Sequence, residues 1–414
     1  MTFTVSKPTF SNSALSHQTL TNYAAIKQEV KVTFNYDVHF TRDLFNPQNP
    51  LLAEVLLATG EGVKNAIAFV DNGLPQAAEI LSQIQAYSNF HTEALNLKPG
   101  STLVAGGEAA KNNPQLVEDL QKLIHEAEIC RHSYVIAVGG GAMLDLVGYA
   151  AATAHRGIRL IRVPTTVLGQ CDSGVGVKNG INAFGKKNFL GTFAPPTLVL
   201  NDANFLTSLD DRNWRSGVAE AVKVALIKDA AFFDFIVANA QALVERDLDV
   251  MQRIVYDCAK LHLDHIAGGD PFEMGSSRPL DFGHWAAHRI EYLSDYRLYH
   301  GEAVAIGICL DSTYSYLSGL ITKEEWQQIL SVFKALGFSL YDCELSSQLE
   351  NPKHPYSLFR GLSEFQEHLG GKLTLMLLTA IGQGLEVHQV NFELYRQAIN
   401  LLEKADIQYS FLKN

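Results

Sequence analysis

The stretch YVIAVGGGAMLDLVGYAA, residues 134–151, sets a hydrophobic strand, three glycines and a helix in direct succession. A strand that turns straight into a helix is the building unit of a parallel sheet with crossover helices. Glycines at such a turn let the backbone approach a pyrophosphate, whose charge is favoured by the free N–H groups at the helix start. The spacing is not GxGxxG, and a strand-to-helix turn without any ligand reads the same way. Asp145 falls in the first turn of this helix. Asp71 closes an earlier apolar run as FVDN, where it can hydrogen-bond a ribose hydroxyl or serve as a plain turn residue.

The surrounding pattern extends the same architecture. Strand-like runs at 65–71, 101–105, 134–138, 160–163 and 197–200 alternate with helical periodicity at 51–60, 75–85, 113–128 and 143–154. Residues 29–41, EVKVTFNYDVHFT, alternate as one or two further strands, and the polar residues 1–30 read as an irregular arm. After about residue 202 the periodicity is helical, at 220–228, 232–244, 250–266, 283–292, 304–318, 321–336 and 392–404, interrupted by a β patch at 373–378. The expected fold is an α/β domain with a parallel sheet over 1–203, followed by a mainly helical domain over 204–414.

Composition narrows the function classes. A chain of 414 residues, 47% hydrophobic and 19% charged, is long enough for a core without covalent staples. The five cysteines, Cys130, Cys171, Cys258, Cys309 and Cys343, include no CxxC pair, so neither a disulfide framework nor a thiolate zinc site is indicated. A reducing cytoplasm is the expected location. The net charge of −11 argues against a general nucleic-acid or anionic-membrane surface. The N-terminus carries no basic segment followed by an apolar run, and no apolar run approaches the roughly 20 residues of a membrane helix.

An anionic ligand must therefore be drawn by a local cluster, and residues 164–193 supply one. PTTVLGQCDSGVGVKNGINAFGKKNFLGTF holds six glycines, three lysines (Lys178, Lys186, Lys187) and three asparagines (Asn179, Asn182, Asn188) with little periodicity. A loop of this kind can wrap a phosphorylated ligand, since glycines expose N–H groups, lysines supply charge and amides read hydroxyls. Solvated surface lysines are the plain alternative; the length of the segment favours a functional one.

The helical half concentrates acids and imidazoles. SGVAEAVKVALIKD puts Glu220 and Lys223 three apart in an almost wholly apolar helix, where charges need assigned partners. DFGHWAAHRIE puts His284 and His288 four apart, and His300 opens another apolar helix in LYHGEAVAIG. One carboxylate with two or three imidazoles can hold a divalent cation and leave positions open for substrate oxygens.

Taken together, GGGAMLDLVGYAAATAHRG, RVPTTVLGQCDSGVGVKNGIN, SGVAEAVKVALIKD, LDFGHWAAHRIE and YHGEAVAIG resemble the dehydroquinate synthase superfamily of sugar phosphate cyclases, in family order over about residues 29–387. The resemblance implies an NAD-binding α/β domain followed by a metal-binding helical domain. It implies Glu220, His284 and His300 as metal ligands, with zinc or cobalt as the metal, so that His288 becomes a substrate contact. Lys178, Lys223, Asn188 and His288 match positions that hold phosphate and relay protons, and Asp172 and Lys260 match further substrate contacts. Asp71, Glu108, Lys111, Gly140, Gly141, Asp145, Thr165 and Thr166, with Lys187, match cofactor contacts. Arg156 matches an arginine reaching a neighbouring subunit's phosphate site, which implies a homodimer. The implied reaction is transient oxidation, phosphate elimination, reduction and intramolecular aldol closure of a phosphorylated keto-sugar.

The chain departs from dehydroquinate synthase itself at two places. That subgroup carries R-x-x-x-N before the GH of the helix motif, the arginine helping to bind a substrate carboxylate. Here, in SSRPLDFGH, Asp281 replaces the asparagine, Ser277 takes the arginine position and Arg278 is one residue out of step. The family's D-K-K near the C-terminus is replaced by Phe365, Gln366 and Glu367. An acid gained and a base lost disfavour a carboxylated substrate and favour an uncharged heptulose phosphate. The alternatives are 3-dehydroquinate synthase proper and a metal-dependent polyol or alcohol dehydrogenase of related fold.

Overall fold

A computed structural model describes residues 25–411, apart from residues 185, 269–271, 273–278, 369–370 and 372. The strands are β1 (Asp37–Thr41), β2 (Lys64–Asp71), β3 (Leu95–Leu97), β4 (Thr102–Val104), β5 (Tyr134–Gly139), β6 (Arg159–Pro164), β7 (Lys178–Ala183), β8 (Lys186–Phe193), β9 (Leu198–Asp202), β10 (Leu375–Ala380) and β11 (Gln383–Val387). The helices of the first half are α1 (Leu51–Ala58), α2 (Ala77–Phe90), α3 (Pro114–Glu126) and α4 (Gly141–Thr153). Those of the second half are α5 (Asp211–Lys228), α6 (Ala230–Ala238), α7 (Ala240–Val244), α8 (Leu248–Ala267), α9 (His284–Leu293), α10 (His300–Leu317), α11 (Lys323–Ala335), α12 (Arg360–His368) and α13 (Phe392–Phe411). Residues 36–414 form one compact unit; in the other unit, residues 25–35 carry no regular structure. The strand expected from residue 29 therefore begins only at Asp37, and the arm before residue 25 lies outside the described residues.

The main sheet is parallel, in the order β1-β9-β6-β5-β2-β3, with β4 also paired to β2. Its central strand explains the near-continuous apolar run in the sequence. Tyr134, Ile136 and Val138 pack into the layer under α1 and α2, whereas Val135 and Ala137 pack into the layer under α3 and α4. A strand covered on both faces buries both sets of alternating side chains. Asn113 begins α3 by accepting from Gln115 N at 3.1 Å, with Pro114 at the first helical position.

Residues 164–193 are more ordered than their composition suggests. A π-type turn at Gly169–Ser173 leads into an antiparallel hairpin, β7–β8, whose second strand is exposed almost throughout. With no buried face, β8 shows no apolar alternation, so the hairpin is invisible to periodicity. Buried Arg162 organises its entry by donating to Gly176 O (2.7 Å), Lys178 O (2.8 Å) and Asn179 Oδ1 (2.6 Å). The single helix expected over 232–244 is two, α6 and α7, and the β patch near residue 375 is a hairpin, β10–β11.

In the second half, α5 and α10 are buried on nearly every side, which accounts for their lack of a polar face. Asp210 caps α5 through Asn213 N at 2.8 Å. The start of α9 crosses α10 where Gly283 meets Gly307. Gly283 has φ +76°, and a Cβ there would stand 2.6 Å from Ile308 N. Among the described residues, no helix is long and apolar enough to cross a membrane.

Candidate active site

Three helices deliver one acid and two imidazoles to a single point. Glu220 comes from the middle of α5, His284 from the first residue of α9 and His300 from the first residue of α10. Nε2 of His284 and Nε2 of His300 each lie 3.4 Å from Glu220 Oε1, and one ligand atom from each of the three residues falls within 4.8 Å of the others. Nδ1 of His284 is held by Phe282 O and Nδ1 of His300 by Glu291 Oε2, both at 3.1 Å. Both Glu220 carboxylate oxygens are buried, Oε1 facing the two imidazoles and Oε2 facing Lys223. Imidazoles anchored at one nitrogen, with the other aimed at a shared buried carboxylate oxygen, fit a divalent cation.

The charges around this point are strongly biased. Burial opposes the Glu220 charge, but Lys223 and His284 hold its carboxyl well below the usual carboxylate range. Lys223, 2.5 Å from Glu220 Oε2, is raised despite its burial by Glu220 and Asp172. Burial opposes the His300 charge as well, yet its contacts with Glu220 and Glu291 push it up to about 10. His288 is open to solvent on one side but crowded by protein on the others; that crowding, with His284 and His300, holds its ring down at about 3. Its ring centroid is 5.5 Å from that of His284 and 5.9 Å from that of His300.

The glycine-rich turn closes β5 and opens α4. Asp71 at the end of β2, Gly140 and Gly141 at the start of α4, and Thr165 and Thr166 after β6 share the carboxyl edge of the sheet. Dinucleotides bind in the crevice outside such an edge. Asp71 accepts from Gly73 N at 2.8 Å, and any side chain at Gly106 would collide with its carboxylate. Thr166 Oγ1 accepts from Gly169 N at 3.0 Å, and Thr165 Oγ1 is buried without a partner. Lys111, fully buried, donates to Asp145 Oδ2 at 2.7 Å and to Asn188 Oδ1. Asn182 joins Glu108 at 3.2 Å to the backbone N–H of Asn188 at 2.9 Å. The β7–β8 hairpin is thereby pinned to the one-turn helix Glu108–Asn112 and to α4.

A cleft of about 510 Å³ opens beside these groups, lined in part by Asp172, Lys178, Asn188, His262, His265 and Leu280. Asp172 Oδ1 lies 2.9 Å from Nδ1 of His262. Burial opposes the Asp172 charge, but His262 and Lys223 outweigh it and bring the carboxyl to about 2. Asp281 ends a short turn, Pro279–Asp281, and its Oδ2 is buried without a partner.

Several expected residues stand elsewhere. Lys260 is exposed on α8 and pairs with Asp264 at 2.8 Å, away from the cleft lining. Lys187, assigned to the cofactor, reaches across to Glu291 at 3.7 Å and lies over the Tyr296 ring. Asn188, assigned to phosphate, gives its side-chain oxygen to Lys111 within the cofactor group while still lining the cleft. Arg156 is exposed on a one-turn segment where it and His155 both have positive φ. Phe365 is buried in the core, and Gln366 donates to Gly371 O at 2.7 Å. Ser277 and Arg278 lie outside the described residues. Sequence reasoning missed Glu291, His262, Arg162 and Asp311. Two of them carry the signal that singled out Glu220, a charge within an apolar element: RLIRVP for Arg162 and ICLDST for Asp311.

Comparison with known proteins agrees with this geometry. Residues 101–216 match the family model described as 3-dehydroquinate synthase N-terminal, and residues 217–353 match 3-dehydroquinate synthase C-terminal. A 2-epi-5-epi-valiolone synthase from Streptomyces glaucescens is 31% identical over 376 residues, covering 89% of this chain and 92% of that protein. A 3-dehydroquinate synthase from a Ruegeria species is 34% identical over 322 residues, covering 77% and 82%. Among solved structures, the 2-epi-5-epi-valiolone synthase of Streptomyces hygroscopicus subsp. jinggangensis, with NAD+ and Zn2+ bound, superposes with a TM-score of 0.79 at 28% identity, covering 92% of this chain and all of that one. The chain therefore belongs to the 3-dehydroquinate synthase family of sugar phosphate cyclases.

Proposed function

We propose that this protein is an NAD- and divalent-metal-dependent cyclase that converts a phosphorylated heptulose into a carbocyclic ketone with loss of inorganic phosphate. The observation that carries the reading is the buried Glu220, His284 and His300 cluster, near a cleft lined by Lys178 and Asp172. Glu220, His284 and His300 would hold the metal; Asp71, Gly140, Gly141, Thr165 and Thr166 would border the dinucleotide. When bound, these groups supply reversible hydride transfer and polarisation of substrate oxygens. Lys178 would offset the phosphate charge at the cleft wall. Lys223 and His288 flank the cluster, where the charged lysine can donate to a substrate oxygen and the neutral imidazole can accept a proton from one.

Asp281 supports the uncharged substrate. Its buried, unpartnered oxygen adds negative potential within range of Lys223, which repels a substrate carboxylate and can accept from a hydroxyl. The likeness to valiolone synthases points the same way. A second reading, 3-dehydroquinate synthase proper, is favoured by the identity to the Ruegeria enzyme. We also place Arg156 at a homodimer seam, since it is exposed and matches the family arginine that reaches a neighbouring subunit.

The deciding experiment supplies NAD, zinc or cobalt, and either sedoheptulose 7-phosphate or the carboxylated heptulosonate phosphate. Phosphate release and a cyclic product from the uncharged sugar, without net NADH, is the expected result. Turnover of the carboxylated substrate alone would establish the second reading. NADH accumulation without phosphate release would identify a polyol dehydrogenase instead.

A further inference from the structure

Residue His262, on α8, has no counterpart in the roles assigned above, yet it lies in the cleft. Its side chain is 14% exposed and lines the same cavity as Asp172, Lys178 and Asn188. Its Nδ1 is 2.9 Å from Asp172 Oδ1, an acid on the π-type turn Gly169–Ser173 that packs against α8. A carboxylate only accepts, so in this contact Nδ1–H of His262 is the donor. The ring is thereby fixed, and Nε2 is the atom left to meet a ligand. Nε2 lies on the side of Gly176, which borders the cleft; a Cβ on Gly176 would stand 3.5 Å from it.

We propose that His262 is a further substrate-binding residue, whose Nε2 reads a hydroxyl of the sugar phosphate while Nδ1 is locked by Asp172. A hydroxyl both donates and accepts, so it can pair with Nε2 in either charge state of the ring. Lys178 on the same lining is the cation suited to phosphate, which leaves the imidazole for the carbon skeleton's hydroxyls. Fixing the ring through Asp172 lowers the ordering cost of the contact, which makes it selective for hydroxyl position. This assignment rests on the cyclase reading above.

Two substitutions separate reading from bracing. His262→Asn keeps an amide donor at the Nδ1 position for Asp172 and leaves nothing at Nε2; His262→Gln restores a polar atom near Nε2 and gives up Asp172. Both are assayed with zinc- and NAD-loaded protein on sedoheptulose 7-phosphate, alongside a deoxy analogue of that sugar. We expect His262→Asn to raise KM about tenfold, with kcat less affected and NAD and zinc affinity unchanged. His262→Gln should recover part of that loss. Wild type should discriminate against the deoxy analogue that lacks the hydroxyl in question, and His262→Asn should not. A KM for His262→Asn equal to wild type, with discrimination intact, would reduce His262 to a brace for Asp172 and overturn the proposal. If wild type turned over neither the uncharged nor the carboxylated sugar phosphate, the cyclase reading itself would fall, and this assignment with it.

Discussion

Glu291 Oε2 lies 3.1 Å from Nδ1 of His300, whose Nε2 in turn faces Glu220 Oε1 at 3.4 Å. The two acids grip one imidazole from both ends, and Glu291 reaches it from α9 across to α10. A carboxylate behind a ligating histidine fixes its tautomer and raises its basicity. Glu291→Ala should therefore weaken zinc binding by about 10- to 100-fold, measured by chelator competition. Glu291→Gln, which keeps an acceptor without the charge, should fall between. Unchanged zinc affinity in both would mean that Glu291 does not orient the site.

Asp311 braces the same region from behind. Its buried carboxylate accepts from Trp285 Nε1 (3.0 Å), Tyr395 OH (2.8 Å) and Gly283 N (3.1 Å), so α10 and α13 together fix the start of α9. Burial pushes this acid up to about 7, its three donors only partly offsetting the effect. The folded protein thus holds the proton more tightly than the unfolded chain, whose aspartate titrates near 4. The contribution is fully present below about pH 4 and is lost as pH rises through about 7, a change of up to about 4 kcal/mol. In urea unfolding between pH 4 and 8, wild type should lose stability more steeply than Asp311→Asn. Parallel pH profiles would contradict this.

Lys111 and Asp145 form a structural pair that ties the Glu108–Asn112 helix to α4. Burial raises Asp145 and Lys111 opposes the shift. Lys111→Met should cost about 3 kcal/mol, because it strands a partly buried carboxylate. Adding Asp145→Asn should return a good part of that loss. Equal stability of the single and double variants in thermal unfolding would show that the charge is not what matters.

Asp281 makes substrate choice testable. Asp281→Asn removes the negative charge facing Lys223 and should shift the ratio of kcat/KM toward the carboxylated heptulosonate phosphate, by about tenfold or more. A ratio that does not move would assign discrimination to another part of the cleft.

Much of this molecule was legible in one dimension. The doubly buried strands announced themselves as apolar runs, and the glycine turn marked where the sheet's edge opens. Glu220 stood out because a carboxylate in an apolar helix must have partners. The β7–β8 hairpin did not, because an exposed ribbon has no buried face to impose alternation. Arg162 could be flagged as a charge within a strand, but its partners are mostly backbone carbonyls, which no side-chain pattern encodes.

Local pattern alone determined the parallel sheet, the helical second half and the residue types available for chemistry. Packing decided which of those residues face one another. Lys260 and His262 show the difference: they sit two apart on α8, so they point to nearly opposite sides of the helix. Docking of α8 against the Gly169–Ser173 turn sends His262 into the cleft and Lys260 out to Asp264. That rotation is set by the buried Met251, Ile254, Val255 and Cys258 seating α8 in the core, a long-range balance that neither residue's neighbours in sequence reveal.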